Sequence, residues 1–269
     1  MIGATDTHIH FYDDRFPVAA GALLHPPNAG IDDYRTIQTE LGLERVVVVQ
    51  PTTYGTDNRC QLAAVAALGD QARAVVVIAS STPTGELQRL TEQGVRGARF
   101  HMLPGGAVSW DELEPTAAAI ADHGWHIQIQ LNGNDLPDLV ERLLTLPANL
   151  VIDHVGRFMP PEGLASPGFA ALRRLIDSER CYVKLSAPYE GSNLPRPHDD
   201  VVALINELVR VAPERMLWAS NWPHPGQGDP PTIEDLSDWR TAWIPTELQT
   251  MILVDNPGRV YGFPPVENA

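Results

Sequence analysis

Two histidines stand two residues apart near the start of the sequence, at His8 and His10. Alternate residues of a β-strand share one face, so both imidazoles are expected to point into the same space. Two histidines packed inside a core would each need a hydrogen-bond partner, which favours a shared site over packing. Imidazoles polarise carbonyl groups, move protons near neutral pH and bind metal ions. The pair therefore predicts one of these chemistries.

A third histidine and an asparagine close two other apolar runs. His154 follows Asp153, and we expect one of these side chains to face the interior and the other the surrounding helices. Asn221 and His224 lie in segment 218–225, which also holds two tryptophans. This segment is typical of a binding wall, although tryptophans here can equally serve structural packing. In the company of the first two histidines, His154 is predicted to join the same site.

The elements that position these residues alternate between short apolar runs and longer helix-like stretches. Several runs are rich in Val and Ile without polar alternation, as strands covered on both faces should be. The runs cover residues 5–10, 46–50, 74–80, 97–103, 126–131, 150–155, 182–187 and 216–221. The stretches carry apolar residues at three- and four-residue spacing. They cover residues 31–41, 58–68, 84–93, 113–123, 135–144, 169–178 and 200–211.

This alternation predicts the α/β class and a single (β/α)8 TIM-type barrel over residues 1–269. The length agrees with the ~250 residues typical of such barrels, whose chemistry lies at the carboxyl ends of the strands. A doubly wound open sheet is the alternative, but no glycine-rich phosphate loop follows the first run. Prolines cluster after the predicted strand ends. Segment 223–235 is a candidate lid or specificity loop, or else a solvated connection.

Charge and composition exclude several partners. The formal net charge of −15 repels nucleic acid and anionic membrane surfaces, so an anionic substrate would need a local cationic cluster. Cys60 and Cys181 show no metal or redox spacing, which favours reduced thiols. No apolar stretch reaches the ~18 residues that span a bilayer, and no leader pattern is present. We therefore expect a soluble cytoplasmic protein.

Short motifs occur in a fixed order along nearly the whole chain. They are Asp6-Thr7-His8-Ile9-His10, Gln50-Pro51 with Gly55-Thr56-Asp57-Asn58, Gly94-Val95-Arg96-Gly97-Ala98-Arg99, Ile152-Asp153-His154, Val183-Lys184-Leu185-Ser186 with Tyr189, and Ser220-Asn221-Trp222-Pro223-His224. In this order they resemble the amidohydrolase superfamily, in its branch of 2-pyrone-4,6-dicarboxylate hydrolases and sugar lactonases. Within that branch the sequence is most similar to the D-galactarolactone isomerases.

The resemblance implies a metal site in much of the superfamily but not in this branch. Superfamily ligands come from the paired histidines, from strands four to six and from an aspartate on strand eight. This chain offers His8, His10 and His154, but Asn221 in place of the aspartate. Three neutral histidines can hold zinc, whereas the guanidinium of Arg99 would repel a divalent ion if it faced the same interior. We therefore expect a metal-independent protein without a cofactor.

The resemblance gives the strand-eight aspartate the task of activating water, and Asn221 has the same shape without the basicity. Loss of a positioned general base typically lowers rates ~10²–10⁴-fold. Attack by a hydroxyl of the substrate depends less on a strong base, because its effective concentration is large. We therefore expect an aldarolactone to be isomerised by intramolecular acyl transfer. The resemblance implies galactaro-1,5-lactone and its 1,4-isomer, in bacterial uronate catabolism.

The predicted catalytic residues are three histidines and the amide: His8, His10, His154 and Asn221. We expect the histidines to surround the carbonyl, stabilise the oxyanion and shuttle the proton, and the amide to orient hydroxyls. The predicted substrate-binding residues are Arg99, Gln50, Gln128, Lys184, Tyr189 and His224. Arg99 is expected to pair with the substrate carboxylate. Lys184 is a second candidate for that carboxylate, or an internal ion-pair partner of Asp153.

Three alternatives stay open. A metal-independent lactonase of the pyrone-dicarboxylate hydrolase type would need another base, either His154, His224 or Asp57. A metal-dependent decarboxylase is disfavoured by Asn221. A non-catalytic small-molecule-binding barrel would keep the pocket and lose turnover. Which histidine moves the proton is also left open by the residue pattern.

Overall fold

The computed structural model describes residues 1–266, and eight parallel strands form one sheet in the order β1 to β8. Each strand pairs with the next one in sequence, from β1 with β2 to β7 with β8. The strands are β1 Thr5–Ile9, β2 Arg45–Val49, β3 Ala72–Val76, β4 Val95–His101, β5 His126–Gln130, β6 Leu150–Ile152, β7 Cys181–Leu185 and β8 Met216–Trp218. The sheet and its surrounding helices confirm the predicted (β/α)8 barrel.

The helices follow the strands around the outside. They are α1 Ile31–Glu40, α2 Arg59–Leu68, α3 Thr84–Glu92, α4 Leu113–Ala121, α5 Leu136–Leu144, α6 Pro167–Asp177, α7 Asp199–Val211, α8 Ile233–Trp243 and α9 Asn256–Tyr261. A π-helical turn, Met251–Asp255, leads into α9. The helix-like stretches of the sequence predicted α1 to α7 but neither helix after β8. Thr232 and Asp235 form a capping box at the start of α8, and this was the available sequence signal.

The barrel closes through the chain that follows β8. The backbone N–H of Asn221 donates to the carbonyl of His8 at 3.0 Å, and the N–H of His10 donates to the carbonyl of Trp222 at 2.9 Å. The Thr7 hydroxyl donates to the carbonyl of Trp218 at 2.8 Å. These hydrogen bonds therefore hold the segment that carries Asn221 beside the paired histidines.

The two faces of the strands bury different surfaces. In β2, Val46 and Val48 pack with the helices, whereas Val47 and Val49 belong to a separate cluster with Tyr261. Alternate residues face opposite sides of a strand, so this second cluster fills the interior of the barrel. Burial of apolar side chains on both faces therefore stabilises the strands that carry the polar site.

No helix within residues 1–266 is long and apolar enough to cross a membrane. The expectation of a single domain over 1–269 stays a prediction, and its last three residues lie outside the described part.

Candidate active site

A cavity of 280 Å³ opens at the carboxyl ends of the strands and brings most of the candidate chemistry together. Its position agrees with the end of a TIM-type barrel that carries reactions. Larger cavities in the described part lie among the helices and near the chain termini, and contain no histidine. The lining residues are His10, Tyr12, Leu23, Leu24, Pro51, Thr52, Arg99, His101, Leu103, Pro104, Gln130, His154, Arg157, Glu190, Asn221 and Pro225.

A chain of hydrogen bonds links Lys184, His8 and His10. His10 Nδ1 lies 2.8 Å from the carbonyl oxygen of Val49, which only accepts, so Nδ1 carries the hydrogen. His8 Nε2 lies 3.3 Å from His10 Nε2 and must then be the donor. Lys184 Nζ donates to His8 Nδ1 at 3.2 Å. Both rings are therefore held in defined neutral tautomers, and both nitrogens of each ring are occupied.

Burial holds both paired histidines in the neutral form. It lowers the pKa of His8 well below the ordinary value of 6.5, and the positive charge of Lys184 acts in the same direction. The pKa of His10 is likewise lowered by burial and by the charge of Arg99. Neutral rings are consistent with the tautomers set by the hydrogen bonds.

Lys184, the only lysine of the sequence, lies under the histidines in the barrel interior and has no exposed surface (0%). Its Nζ donates to Gln128 Oε1 at 2.7 Å and lies 3.4 Å from Asp153 Oδ1. Burial lowers the pKa of Lys184 to about 8, against the opposing charge of Asp153. Burial disfavours the charge of Asp153, but the positive charge of Lys184 holds its pKa well below the usual range. The ammonium group is thus an internal ion-pair partner rather than a wall of the cavity.

Asp153 and His154 both face the interior, so the prediction that one would face the helices was wrong. Strand β6 ends at Ile152, and His154 has a left-handed φ of 51°. The alternation of side chains therefore stops before His154. Asp153 Oδ1 contacts His8 Nδ1 at 3.2 Å, and the His154 ring lies 4.9 Å from the His8 ring.

His154 presents a ring nitrogen to the cavity that it lines. Its Nδ1 lies 2.9 Å from Ser186 Oγ, and its Nε2 has no hydrogen-bond partner within residues 1–266. Burial lowers its pKa below 6.5, while the charges of Asp153 and Glu190 act in the opposite direction. His154 is therefore a neutral histidine with one nitrogen open to a ligand.

Asn221 also lines the cavity and adopts a left-handed φ of 63°. Its Nδ2 donates to the Tyr189 hydroxyl at 2.9 Å, and that hydroxyl lies 3.1 Å from His224 Nδ1. The amide carbonyl oxygen is buried and has no hydrogen-bond partner in the described residues. An unpaired buried acceptor beside a cavity points to a ligand donor.

Arg99 enters the same cavity from β4. One terminal nitrogen donates to the carbonyl of Gln50 at 2.5 Å, and the other donates to Gln130 Oε1 at 2.8 Å. Its Nε is buried without a partner among residues 1–266. The guanidinium is therefore fixed in orientation, and three of its five N–H donors, including that of Nε, are left for acceptor groups.

Asp6 positions the backbone of His8 and of Ser220, the residue before Asn221, by hydrogen bonds. Its carboxylate accepts hydrogen bonds from the Ser220 hydroxyl at 2.5 Å, the Ser220 N–H at 3.0 Å and the His8 N–H at 3.3 Å. Tyr34 donates to it at 3.1 Å. The carboxylate therefore fixes β1 against the segment that carries Asn221.

The predicted residues divide into those that line the cavity and those behind its walls. His10, His154, Asn221 and Arg99 line it. Six predicted residues are absent from the lining: His8, Gln50, Gln128, Lys184, Tyr189 and His224. They position the residues of the lining or the nearby loops. Gln50, for example, donates to the carbonyls of Gly55 and Asp57.

Both tryptophans of segment 218–225 serve packing. Trp218 lies under the guanidinium of Arg240 from α8, with Cζ 5.6 Å from the ring centroid, and Trp222 packs against Tyr34 and Phe11. The binding-wall interpretation was wrong for these two rings, because neither tryptophan is among the residues that line the cavity.

Sequence reasoning missed the loop residues of the cavity. Arg157 and Glu190 form an ion pair there, and Leu23 and Leu24 come from the segment 13–29 between β1 and α1. Leu24 packs near Gly226, so this segment meets the predicted lid 223–235 across the mouth. No periodic pattern marks such residues, because irregular loops have none.

The histidines and the carboxylate beside the cavity are poorly suited to bind a divalent metal ion. Within the described residues, His8, Asp153 and His154 offer ligand atoms that lie within 4.8 Å of one another. However, Lys184 Nζ lies 3.2 Å from His8 Nδ1 and 3.4 Å from Asp153 Oδ1. An ammonium group already neutralises the one carboxylate of the set, and a metal ion beside it would meet strong repulsion. These residues do not fit the superfamily metal.

Comparison with known proteins gives one consistent result. A family model described as amidohydrolase matches residues 5–263. D-galactarolactone isomerase of Agrobacterium fabrum is 35% identical over 271 residues, covering 98% of this chain and 93% of the relative. The 2-pyrone-4,6-dicarboxylate hydrolase of Comamonas testosteroni is 35% identical over 275 residues, covering 96% and 90%. A crystal structure from Agrobacterium tumefaciens has a TM-score of 0.93 at 35% identity, covering 98% of this chain and 97% of that chain.

These similarities confirm the resemblance that the ordered motifs indicated, and they extend over nearly the whole chain. The named relatives are a lactone isomerase and a lactone hydrolase, which confirms the expectation of an enzyme. Together with the eight-stranded barrel, the match over residues 5–263 establishes that the chain belongs to the amidohydrolase family.

Proposed function

We propose that the protein isomerises an aldarolactone, galactaro-1,5-lactone to the 1,4-lactone, by intramolecular acyl transfer. The observation that carries the proposal is that Asn221 lines the cavity, since the family resemblance implies a water-activating aspartate at this position. Its Nδ2 is held by Tyr189 and its Oδ1 is unpaired within residues 1–266. An amide can accept a hydrogen bond from a substrate hydroxyl but cannot take its proton. Asn221 therefore suits orientation of an internal nucleophile.

The proposed step exchanges one ester bond for another. The C4 hydroxyl oxygen attacks the C1 carbonyl, its proton passes to a base, and a tetrahedral oxyanion forms. The bond from C1 to the ring oxygen O5 then breaks, and O5 takes the proton. No water enters and no net proton is released. The attacking hydroxyl is already part of the bound ligand, so its effective concentration is high.

We assign the proton transfer to His154. His8 and His10 have both ring nitrogens engaged by hydrogen bonds, whereas His154 Nε2 has no partner in the described chain. With Nδ1 donating to Ser186 Oγ, the Nε2 lone pair is available to a proton. His8 then acts through His10, since it does not line the cavity. This assigns distinct roles to the three predicted histidines.

The same cavity supplies an anchor for the free carboxylate of the lactone. Arg99 is held by Gln50 and Gln130, and its Nε is unpaired among residues 1–266. A fixed guanidinium binds a carboxylate with charge-assisted hydrogen bonds. Lys184 is fully buried behind the wall, so we no longer propose it as a carboxylate ligand.

We further propose that the reaction needs neither a metal ion nor another cofactor. Lys184 supports this, because it places a positive charge beside His8 and Asp153 where a metal ion would otherwise act. We keep a cytoplasmic location as part of the proposal, supported by the buried free thiols of Cys60 and Cys181. The predicted partner is a small anionic lactone rather than nucleic acid or membrane.

A lactonase of the 2-pyrone-4,6-dicarboxylate hydrolase type is the second candidate, and the 35% identity to such a hydrolase favours it. Of the alternative bases, only His154 lines the cavity. Asp57 is paired with Arg59 at 2.6 Å, and His224 faces Tyr189. A hydrolase would therefore also depend on His154, but it would use water as the nucleophile.

The proposal is tested by incubating the purified protein with galactaro-1,5-lactone and following the products by NMR. We expect the 1,4-lactone to accumulate before open-chain acid. Formation of open-chain acid alone would show that the protein is a hydrolase. Conversion no faster than the spontaneous reaction would favour the non-catalytic binding barrel.

A further inference from the structure

An ion pair of Arg157 and Glu190 forms part of the cavity wall, and the proposed acyl transfer does not use it. Arg157 Nε lies 3.3 Å from Glu190 Oε2, and the two side chains are 22% and 23% exposed. Arg157 follows the turn after β6, and Glu190 ends the turn Pro188–Glu190 after β7. The pair therefore joins two neighbouring loops at the edge of the reaction site.

Glu190 is the one carboxylate among the cavity-lining residues of the described chain. Its Oε2 accepts from Arg157, and its Oε1 has no hydrogen-bond partner within residues 1–266. An ionised carboxylate only accepts hydrogen bonds and offers about four acceptor positions. The free positions favour a ligand that brings O–H donors, as a polyhydroxy acid does.

The charges of the cavity match a ligand with a single carboxylate. The fixed cations of the lining are Arg99 and Arg157, and Glu190 neutralises Arg157. The three histidines of the lining are His10, His101 and His154, and burial keeps them neutral near pH 7 because it lowers their pKa values. One unmatched cation, Arg99, therefore remains.

A second ligand carboxylate would meet an unfavourable environment. The cavity measures only 280 Å³, so no part of a bound ligand lies far from Glu190. Like charges at short range in a partly buried site repel strongly. Such a carboxylate would also have to compete with Glu190 for Arg157.

We infer that Glu190 and Arg157 select the substrate, favouring lactones with one carboxylate and free hydroxyls over planar lactones with two carboxylates. This inference rests on the proposed function, because it names the class of lactone that the same cavity accepts. Glu190 binds a hydroxyl of the preferred ligand and repels the second carboxylate of the other class. Neither residue is required for the proton transfer itself.

The test compares the wild type with Glu190→Gln, using galactaro-1,4-lactone and 2-pyrone-4,6-dicarboxylate as ligands in calorimetric titrations. Replacing a charged acceptor by an amide is expected to weaken binding of the hydroxylated lactone by about 10-fold. It is expected to strengthen binding of the dicarboxylate by at least about 10-fold, because the repulsion is removed and Arg157 becomes free. An unchanged ratio of the two dissociation constants would overturn the inference.

Two further variants separate selectivity from damage to the fold. Glu247→Gln removes the same charge from an exposed position outside the cavity and should leave the ratio unchanged. Arg157→Gln leaves Glu190 unpaired and should weaken dicarboxylate binding further, in the opposite direction to Glu190→Gln. The inference concerns the ratio of two dissociation constants, which does not require turnover, so failure of isomerisation in the wild type would contradict the proposed function and not this inference.

Discussion

The amide of Asn221 is held by the phenol of Tyr189, whose oxygen accepts a hydrogen bond from Asn221 Nδ2 at 2.9 Å. The same hydroxyl lies 3.1 Å from His224 Nδ1, to which its single hydrogen can donate. This arrangement fixes the orientation of the amide and leaves Oδ1 as its free acceptor. A residue so placed can orient a hydroxyl, and the chemistry at this position depends on whether it is an amide or a carboxylate.

Asn221→Asp should therefore convert part of the activity to ring opening. A carboxylate at this position can take a proton from water, and a positioned general base is typically worth ~10²–10⁴-fold. We expect acid release from galactaro-1,5-lactone to rise by at least about 10-fold, measured by pH-stat titration. Asn221→Ala is the control, since it removes the amide without adding a base. No gain in acid release by the aspartate variant would refute the role assigned to Asn221.

Replacement of His154 tests the assignment of the proton carrier. We expect His154→Asn to lower kcat by about 10²–10⁴-fold with little change in KM, because Nε2 acts on the reacting atoms rather than in ground-state binding. His123→Asn, two residues beyond the end of α4 and absent from the cavity lining, is the matched control. If the His154 variant retained more than about a tenth of the wild-type kcat, another group would have to carry the proton.

The activity should decline on both sides of neutral pH. On the acid side, kcat falls as His154 gains a proton, and burial places that pKa below 6.5. On the alkaline side, Lys184 loses its proton as the pH rises through about 8, since burial has lowered its pKa to that value. The hydrogen-bond chain from Lys184 to His8 then loses its positive end.

The alkaline limb can be assigned directly, because Lys184 is the only lysine. Protein labelled with ¹⁵N-lysine gives one side-chain amine signal, whose titration should coincide with the loss of kcat. A Lys184 titration near the ordinary lysine pKa of ~10.4, with an alkaline limb still near 8, would contradict the assignment.

The buried ion pair should matter for stability as well as activity. Lys184→Met leaves Asp153 as an uncompensated buried charge, which typically lowers the free energy of unfolding by about 3–5 kcal/mol. Denaturant unfolding monitored by circular dichroism measures the change. The double variant Lys184→Met with Asp153→Asn should regain part of the loss, since the stranded charge is gone. Equal stability of the single variant and the wild type would show that the pair is not formed.

Metal independence gives a further expectation. Elemental analysis of the purified protein should find metal well below one equivalent, and kcat should survive chelator treatment and dialysis. Stoichiometric metal, with activity that is lost on chelation and restored by adding the metal back, would contradict the inference from Lys184 that these residues do not suit a metal ion.

The barrel could be predicted from the sequence because its strands are short apolar runs separated by amphipathic helices. Residues at or just after the carboxyl ends of those strands, among them His10, Arg99, His154 and Asn221, were also predicted, and they do line one cavity. Their common placement follows from the geometry of parallel strands, whose carboxyl ends meet at one rim.

The rest of the site depends on features without a sequence period. His154 points inward because the backbone turns left-handed after β6, which strand alternation does not predict. Arg157 and Glu190 come from loops whose paths are set by packing over many residues. The role of Lys184 became clear only from its distances to His8 and Asp153, since a lysine on a strand can equally well bind the substrate.

The most direct test of intramolecular acyl transfer is incubation of galactaro-1,5-lactone with the enzyme in ¹⁸O-labelled water, with mass spectrometry of the 1,4-lactone. Attack by the C4 hydroxyl keeps the carbonyl oxygen at C1, so we predict an unlabelled 1,4-lactone. Ring opening by water followed by reclosure would leave ¹⁸O in about half of the product carbonyls, because the attacking water has become part of the C1 carboxylate. Labelled 1,4-lactone formed at the enzymatic rate would contradict the account.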